Sequence, residues 1–123
     1  VALSAPHDLQ SRLHAGEAFG SLLAEHGLSL DLDALVPFAR WRPAFHQPRR
    51  FDTLFFLARA PDGDWPLVPQ AGECETAEWL TAADVLRRIG AGQATAIFPT
   101  IRNLERLAQF GNFDEAVAHA RAH

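Results

Sequence analysis

Arginine and aromatic side chains are concentrated between residues 40 and 50. A guanidinium group donates two parallel hydrogen bonds to a phosphate or carboxylate, and an aromatic ring can stack on a flat ligand. The segment therefore indicates a binding site for an anionic ligand. The alternative is that these side chains close the ends of two strands and pair with acids such as Asp52. The residues concerned are Arg40, Trp41, Arg42, Phe45, His46, Arg49 and Arg50.

Glu73 and Glu75 form a second set whose spacing is suited to chemistry. Two residues apart in a strand, their side chains would point to the same face. Two such carboxylates could hold Mg²⁺ or position a water molecule. A solvated strand edge explains the same spacing, and the spacing alone favours that interpretation. The six histidines lack zinc-ligand spacing and Cys74 is the single cysteine, so we expect neither a zinc site nor an internal disulfide.

Size and composition predict one globular domain. The chain has 123 residues, of which 48% are hydrophobic and 21% charged. Its net charge of −4 argues against non-specific binding of nucleic acid. All 11 basic residues are arginine, so no lysine is present for Schiff-base or P-loop chemistry. The sequence shows neither a membrane-spanning apolar stretch nor a signal peptide, so we expect a cytoplasmic protein in a reducing compartment.

Two apolar runs must position the arginine segment. Residues 35–41 and 51–60 flank a proline-broken stretch and predict two strands. The second run has apolar residues at both parities, which predicts a strand covered on both faces. Residues 65–70 predict an edge strand or loop, and residues 73–80 predict an outer strand with one solvated face.

Helices are predicted before and after the strands. Residues 8–26 have helical periodicity, but Gly16 and Gly20 weaken the middle, so one kinked helix or two short ones would fit. Gly27 is suited to the position after the helix end. The order of helix, strands and helices predicts an α+β fold with antiparallel pairing. Three further helix starts are indicated by Thr81 with Asp84, by Pro99, and by Asn112 with Glu115.

From Gly16 onward the chain resembles the C-terminal part of a Nudix hydrolase, in the branch related to the coenzyme A diphosphatases. Five segments carry the resemblance in the expected order: FGSLLAEHGLSL, LVPFARWRP, PRRFDTLFFLA, WLTAADVL and FPTIRNLERLA. The resemblance implies a Nudix-type α/β/α sandwich with a mixed, largely antiparallel sheet between flanking helices. It further implies a single domain over residues 1–123, incomplete at its N-terminal side.

The implied activity is cleavage of a diphosphate linkage in a nucleoside diphosphate derivative, such as coenzyme A or an acyl-coenzyme A. The family uses Mg²⁺ or Mn²⁺ held by the glutamates of the Nudix box, which this sequence does not contain, so we assign no catalytic residue within the chain. Arg42 stands where the family usually has Thr or another small residue before the proline, so the sequence departs from the family pattern on the substrate side. Matching positions imply that Arg40, Trp41, Arg49, Arg50 and Asp52 bind substrate and that Glu73 is a metal ligand.

Three hypotheses follow for the chain as a whole. It is the C-terminal part of a longer Nudix enzyme, a box-less Nudix-like module that binds a ligand or a protein, or an unrelated small α+β domain. A Nudix sheet without its first strands would leave edges and an apolar face around Phe55 and Leu57 uncovered. We therefore expect either a homodimer or a preceding N-terminal segment.

Overall fold

The computed structural model describes residues 6–42, 51–63 and 66–123, and it describes side chains from residue 8 onward. These residues form a mixed α+β structure with five α-helices and a small antiparallel sheet of two strands. The α+β prediction is therefore confirmed. The chain divides into two compact units, one within Val1–Asp31 and Gly63–Glu78, the other within Leu32–Asp62 and Trp79–His123.

The first unit contains two short helices, α1 (Pro6–His14) and α2 (Phe19–Glu25). Gly16 separates them with a φ of +103°, a conformation that only glycine adopts without strain. Of the two predicted possibilities, the structure has the pair of short helices. Gly27 follows the end of α2 with a φ of +64°, as predicted, and its N–H donates to the Ala24 carbonyl at 3.1 Å.

Side chains of α1 contact the other parts of this unit. Arg12 pairs with Glu17 at 2.8 Å and with Glu25 at 2.7 Å, so one guanidinium joins α1 to the following loop and to α2. Gln10 donates through Nε2 to the carbonyl of Val68 at 3.2 Å, which ties the segment after residue 66 to the same helix.

The second unit is built on the predicted pair of strands, β1 (Val36–Trp41) and β2 (Thr53–Leu57). They pair antiparallel, with Val36 opposite Leu57 and Trp41 opposite Thr53. The register shifts between Pro37 and Ala39, so the strand bulges at this point. A short 3₁₀ turn, Leu32–Ala34, precedes β1.

Three helices complete the second unit: α3 (Ala82–Gly90), α4 (Phe98–Leu107) and α5 (Phe113–Ala122). Both predicted capping residues act as caps. The Thr81 hydroxyl accepts from the N–H of Asp84 at 3.1 Å, and the Asn112 side chain accepts from the N–H of Glu115 at 2.9 Å. Pro99 lies in the first turn of α4, where its missing N–H costs no hydrogen bond.

The core of the second unit lies beneath β1. Val36 and Phe38 are buried, and α5 packs against this strand and contributes the buried Ala116. Helix α3 packs against α4. The strand that bears Arg40 and Trp41 is therefore fixed by the helices that follow it in sequence.

The prediction that β2 is covered on both faces is wrong. Leu54 and Phe56 are 58% and 46% exposed, whereas Phe55 and Leu57 are half-buried. The apolar face left open is therefore the opposite one from that expected around Phe55 and Leu57. A strand with apolar residues on both faces is covered on both only where a layer of structure packs against each face. The described helices pack against one face of this small sheet.

The predicted outer strand at residues 73–80 is also absent, and its side chains are exposed. Residues 66–70 likewise form a loop, which was one of the two predicted possibilities; Trp65 lies outside the described residues. Alternating polarity is equally compatible with an extended, solvated segment that has no neighbouring strand. No helix in the described part of the chain is long and apolar enough to cross a membrane.

Candidate functional site: an arginine-lined cleft

A cleft of about 630 Å³ opens between the end of β1 and one face of α4. We call it the arginine cleft. Three arginines and one glutamate line it, so its wall is positively charged although the whole chain has a net charge of −4. Its lining residues are Ala39, Arg40, Trp41, Arg102, Asn103, Glu105, Arg106 and Gln109.

Trp41 fixes the geometry where β1 meets α4. Its indole Nε1 donates to the Asn103 Oδ1 at 3.2 Å, and its ring lies edge-to-face with Phe98, with 5.8 Å between ring centroids. An indole N–H can only donate, so the amide oxygen of Asn103 must accept. The amide nitrogen of Asn103 is then the group left to donate to a ligand in the cleft.

Arg106 is held by β1 through an aromatic ring and a backbone carbonyl. Its guanidinium lies 4.0 Å from the centroid of the Phe38 ring and donates to the Phe38 carbonyl oxygen. Among the described residues, no carboxylate lies within ion-pair distance of Arg106. An aromatic face and a carbonyl attract a cation but do not neutralise it, so the charge of Arg106 remains available to an anion.

Arg102 lies one turn before Arg106 on α4 and also lines the cleft. Residues four apart in a helix project from the same face, which explains why both arginines line the same cleft. Arg102 pairs with Glu105, with 2.5 Å between Nη1 and Oε2, and both side chains are about half exposed. An incoming anion can therefore reach Arg102, in competition with Glu105.

Arg40 is held in a fixed orientation by Asp52. Its Nε and Nη2 donate to the two oxygens of this carboxylate at 2.8 and 2.5 Å, and Arg42 lies 3.4 Å from the same group. The hydrogen bond from Arg40 lowers the pKa of Asp52. The structure thus contains the pairing that the alternative interpretation predicted, and Arg40 still lines the cleft.

The predictions for the arginine segment divide into two groups. Arg40, Trp41 and Asp52 are brought together at the cleft, with Asp52 acting on Arg40 rather than lining the cavity. Arg49 and Arg50 lie outside the described residues, as does His46. Their predicted roles remain predictions.

Glu73, the predicted metal ligand, belongs to the other compact unit. Its carboxylate is 68% exposed and lies 3.8 Å from the Nδ1 of His14. Glu75 and Cys74 are exposed as well. In the described ranges no three His, Cys, Asp or Glu side chains converge as a metal site would require. One exposed carboxylate does not supply the several oxygen ligands that hold Mg²⁺.

Sequence reasoning missed the half of the cleft that α4 supplies. Within FPTIRNLERL, Asn103 directly follows Arg102, and Arg106 lies four residues after Arg102. No local pattern in this segment marks its polar residues as a binding surface. Helical spacing alone could have placed Arg102 and Arg106 together, but not opposite Trp41.

Comparisons with protein-family models, with curated proteins and with solved structures find no match to this chain. The resemblance to Nudix hydrolases therefore rests on the sequence segments quoted above.

Proposed function

We propose that this chain binds the diphosphate group of a nucleoside diphosphate derivative in the arginine cleft, as the substrate-binding part of a Nudix-type hydrolase. The observation that carries the proposal is that Arg102 and Arg106 of α4 line the same cavity as Arg40 and Trp41 of β1. Adjacent guanidinium groups suit neighbouring phosphates, because each can donate two parallel hydrogen bonds. Coenzyme A and its acyl derivatives are the ligands that the sequence resemblance favours.

Catalysis by the Nudix route needs Mg²⁺ or Mn²⁺ held by several carboxylates. The described residues do not bring such a set together, and Glu73 does not fit the role by itself. We therefore assign binding to this chain and derive no hydrolytic step from its residues.

The donor-rich lining of the cleft also favours a second candidate function, a Nudix-like module that binds its ligand without cleaving it. Arginine and amide donors can hold a diphosphate in the absence of a metal ion. The two functions differ in their dependence on Mg²⁺. Cleavage requires the ion, whereas binding by the arginines alone does not.

Isothermal titration calorimetry of the chain with ADP and with coenzyme A, first in EDTA and then in Mg²⁺, tests the proposal. We expect binding in EDTA that weakens as salt is added, because the contacts are between charges. Arg102→Ala should weaken binding about tenfold, whereas Arg121→Ala removes the same charge outside the cleft and should not. If neither ligand binds, the proposal is wrong. Release of product that needs Mg²⁺ indicates the hydrolase, and binding without release indicates the module.

Arg49 and Arg50 provide a further test of the substrate side. If they contact the ligand as the resemblance implies, the double variant Arg49→Ala with Arg50→Ala should lower affinity for ADP while the thermal midpoint stays close to that of the parent. Unchanged affinity would remove both residues from the site.

A further inference from the structure

Of the described residues that line the arginine cleft, Glu105 is the one with an acidic side chain. It lies three residues after Arg102, with which it pairs at 2.5 Å, and directly before Arg106 in sequence. It is 44% exposed, so it remains accessible to a ligand. A carboxylate in a site for phosphates repels them, which raises the question of what ligand would tolerate it.

Most of the other polar groups that line the cleft are donors. Arg102 and Arg106 only donate, and the Asn103 amide oxygen is already occupied by the Trp41 N–H, which leaves its nitrogen to donate. The Gln109 Nε2 lies 3.5 Å from the backbone carbonyl of Glu105. A ligand in this cleft therefore meets several donors suited to phosphate oxygens. It also meets one charged acceptor, the carboxylate of Glu105.

We propose that Glu105 sets the ligand specificity of the cleft: it disfavours bare phosphate and pyrophosphate and favours a ligand that presents vicinal hydroxyl groups beside its diphosphate, as the ribose of a nucleotide does. This inference rests on the proposed diphosphate-binding function. A carboxylate accepts two hydrogen bonds from neighbouring hydroxyls, which converts a repulsive group into a contact. Free pyrophosphate has no hydroxyl to offer and meets only the repulsion.

Arg102 is part of the same selection. In the free protein Glu105 occupies it, so a phosphate must displace the carboxylate to bind. A ligand whose hydroxyls donate to Glu105 replaces the hydrogen bond that the carboxylate loses from Arg102. Arg102 is then free to bind a phosphate of the same ligand. Glu105 is in this sense a specificity-determining residue, and the proposal gives it no part in bond cleavage.

The test uses calorimetric titration of the full chain, in EDTA and at low ionic strength, with pyrophosphate, ADP and 2′,3′-dideoxy-ADP. We expect the parent protein to bind ADP several-fold more tightly than the dideoxy analogue. In Glu105→Gln we expect pyrophosphate affinity to rise about tenfold and the preference for ADP over its analogue to fall towards one. Glu75→Gln, the same change at an exposed position outside the cleft, should alter neither quantity.

Glu105→Asp separates repulsion from hydroxyl recognition and covers the case in which the glutamine variant fails to fold. The shorter aspartate keeps the negative charge but moves the carboxylate oxygens away from the ligand hydroxyls. Pyrophosphate should therefore still bind weakly, while the preference for ADP over its dideoxy analogue is lost. The inference is overturned if the parent binds ADP and its analogue equally, or if Glu105→Gln leaves pyrophosphate affinity unchanged. Absence of binding of all three ligands by the parent would instead overturn the diphosphate-binding function, and the inference with it.

Discussion

Arg12 in the first unit and Arg106 in the second show two opposite uses of the same side chain. Arg12 is surrounded by carboxylates and pairs with Glu17 and Glu25, whose pKa values its hydrogen bonds lower. Arg106 lies instead on the ring of Phe38. Two carboxylates balance the charge of the first guanidinium, which joins two helices, whereas the second has no carboxylate partner among the described residues. Proximity of arginines in sequence therefore says little about function, since the partner decides what each charge can do.

The largest expected effect that separates the two arginines is on ligand affinity. Arg106→Ala should weaken ADP binding by about ten- to a hundredfold, because it removes a charged donor from the cleft. Arg12→Ala should leave that affinity unchanged and only lower the denaturation midpoint slightly, since exposed ion pairs contribute little. Calorimetric titration and urea denaturation of both variants measure the two effects.

Arg106 also contacts β1, so loss of binding in Arg106→Ala has to be distinguished from loss of structure. Arg106→Lys keeps the charge and should retain most of the affinity if the charge matters more than the fork geometry. Equal loss of binding in Arg12→Ala and Arg106→Ala would abolish the distinction drawn between the two units.

An intermediate effect is expected from the helix ends of each unit. Asn112→Ala removes the cap of α5, which packs against β1, and should destabilise the second unit by about 1 kcal/mol. Gly27→Ala places a side chain at a φ of +64° and should cost the first unit about 1 kcal/mol. Amide hydrogen exchange then reports whether each change reaches the other unit. Uniform loss of protection would show that the two units unfold together.

The smallest expected effect is a loss of folding stability at acid pH. The pKa of Asp52 is lowered by Arg40, and the pKa values of Glu17 and Glu25 are lowered by Arg12. A carboxyl whose pKa is lower in the folded state contributes stability above its unfolded value of about 4, and this is lost as the pH falls through the folded pKa. Both units should thus weaken below about pH 4.

Single variants assign the acid effect to each region. Asp52→Asn should remove part of the acid dependence seen by hydrogen exchange in the second unit, and Glu25→Gln should do so in the first. If Asp52→Asn leaves the acid dependence of the second unit unaltered, the ion pair with Arg40 does not contribute to it.

Local features of this fold are readable in the sequence because they depend on neighbours a few residues apart. Thr81 and Asn112 were predicted as caps from the acid three residues later, and both caps are present. The two strands around the arginine segment were predicted from apolar runs, and they pair as expected. Gly16 and Gly20 were both predicted to weaken the first helix; the break falls at Gly16, whereas Gly20 lies within α2.

Features that depend on long-range packing were not predictable in this way. Trp41 meets Asn103 across 62 positions of sequence, and Arg106 meets Phe38 across 68, so neither pairing leaves a local pattern. The strand expected at residues 73–80 failed for the related reason that a strand needs a partner. Half of the candidate site, Arg40 and Trp41 with Asp52, was thus accessible from the sequence, and the half on α4 was not.

The exposed side of β2 bears on how the protein behaves at high concentration. Thr53–Leu57 contains neither charge nor proline, and Leu54 and Phe56 face outward, which is the composition of segments that stack into fibrils. The charges nearest to this strand are Asp52 on one side and Arg59 on the other, each held by an ion pair. Charges that flank an apolar strand are gatekeepers, which oppose the stacking of identical strands. Acid that protonates Asp52 removes one gatekeeper, so the same conditions that loosen the hairpin also favour aggregation.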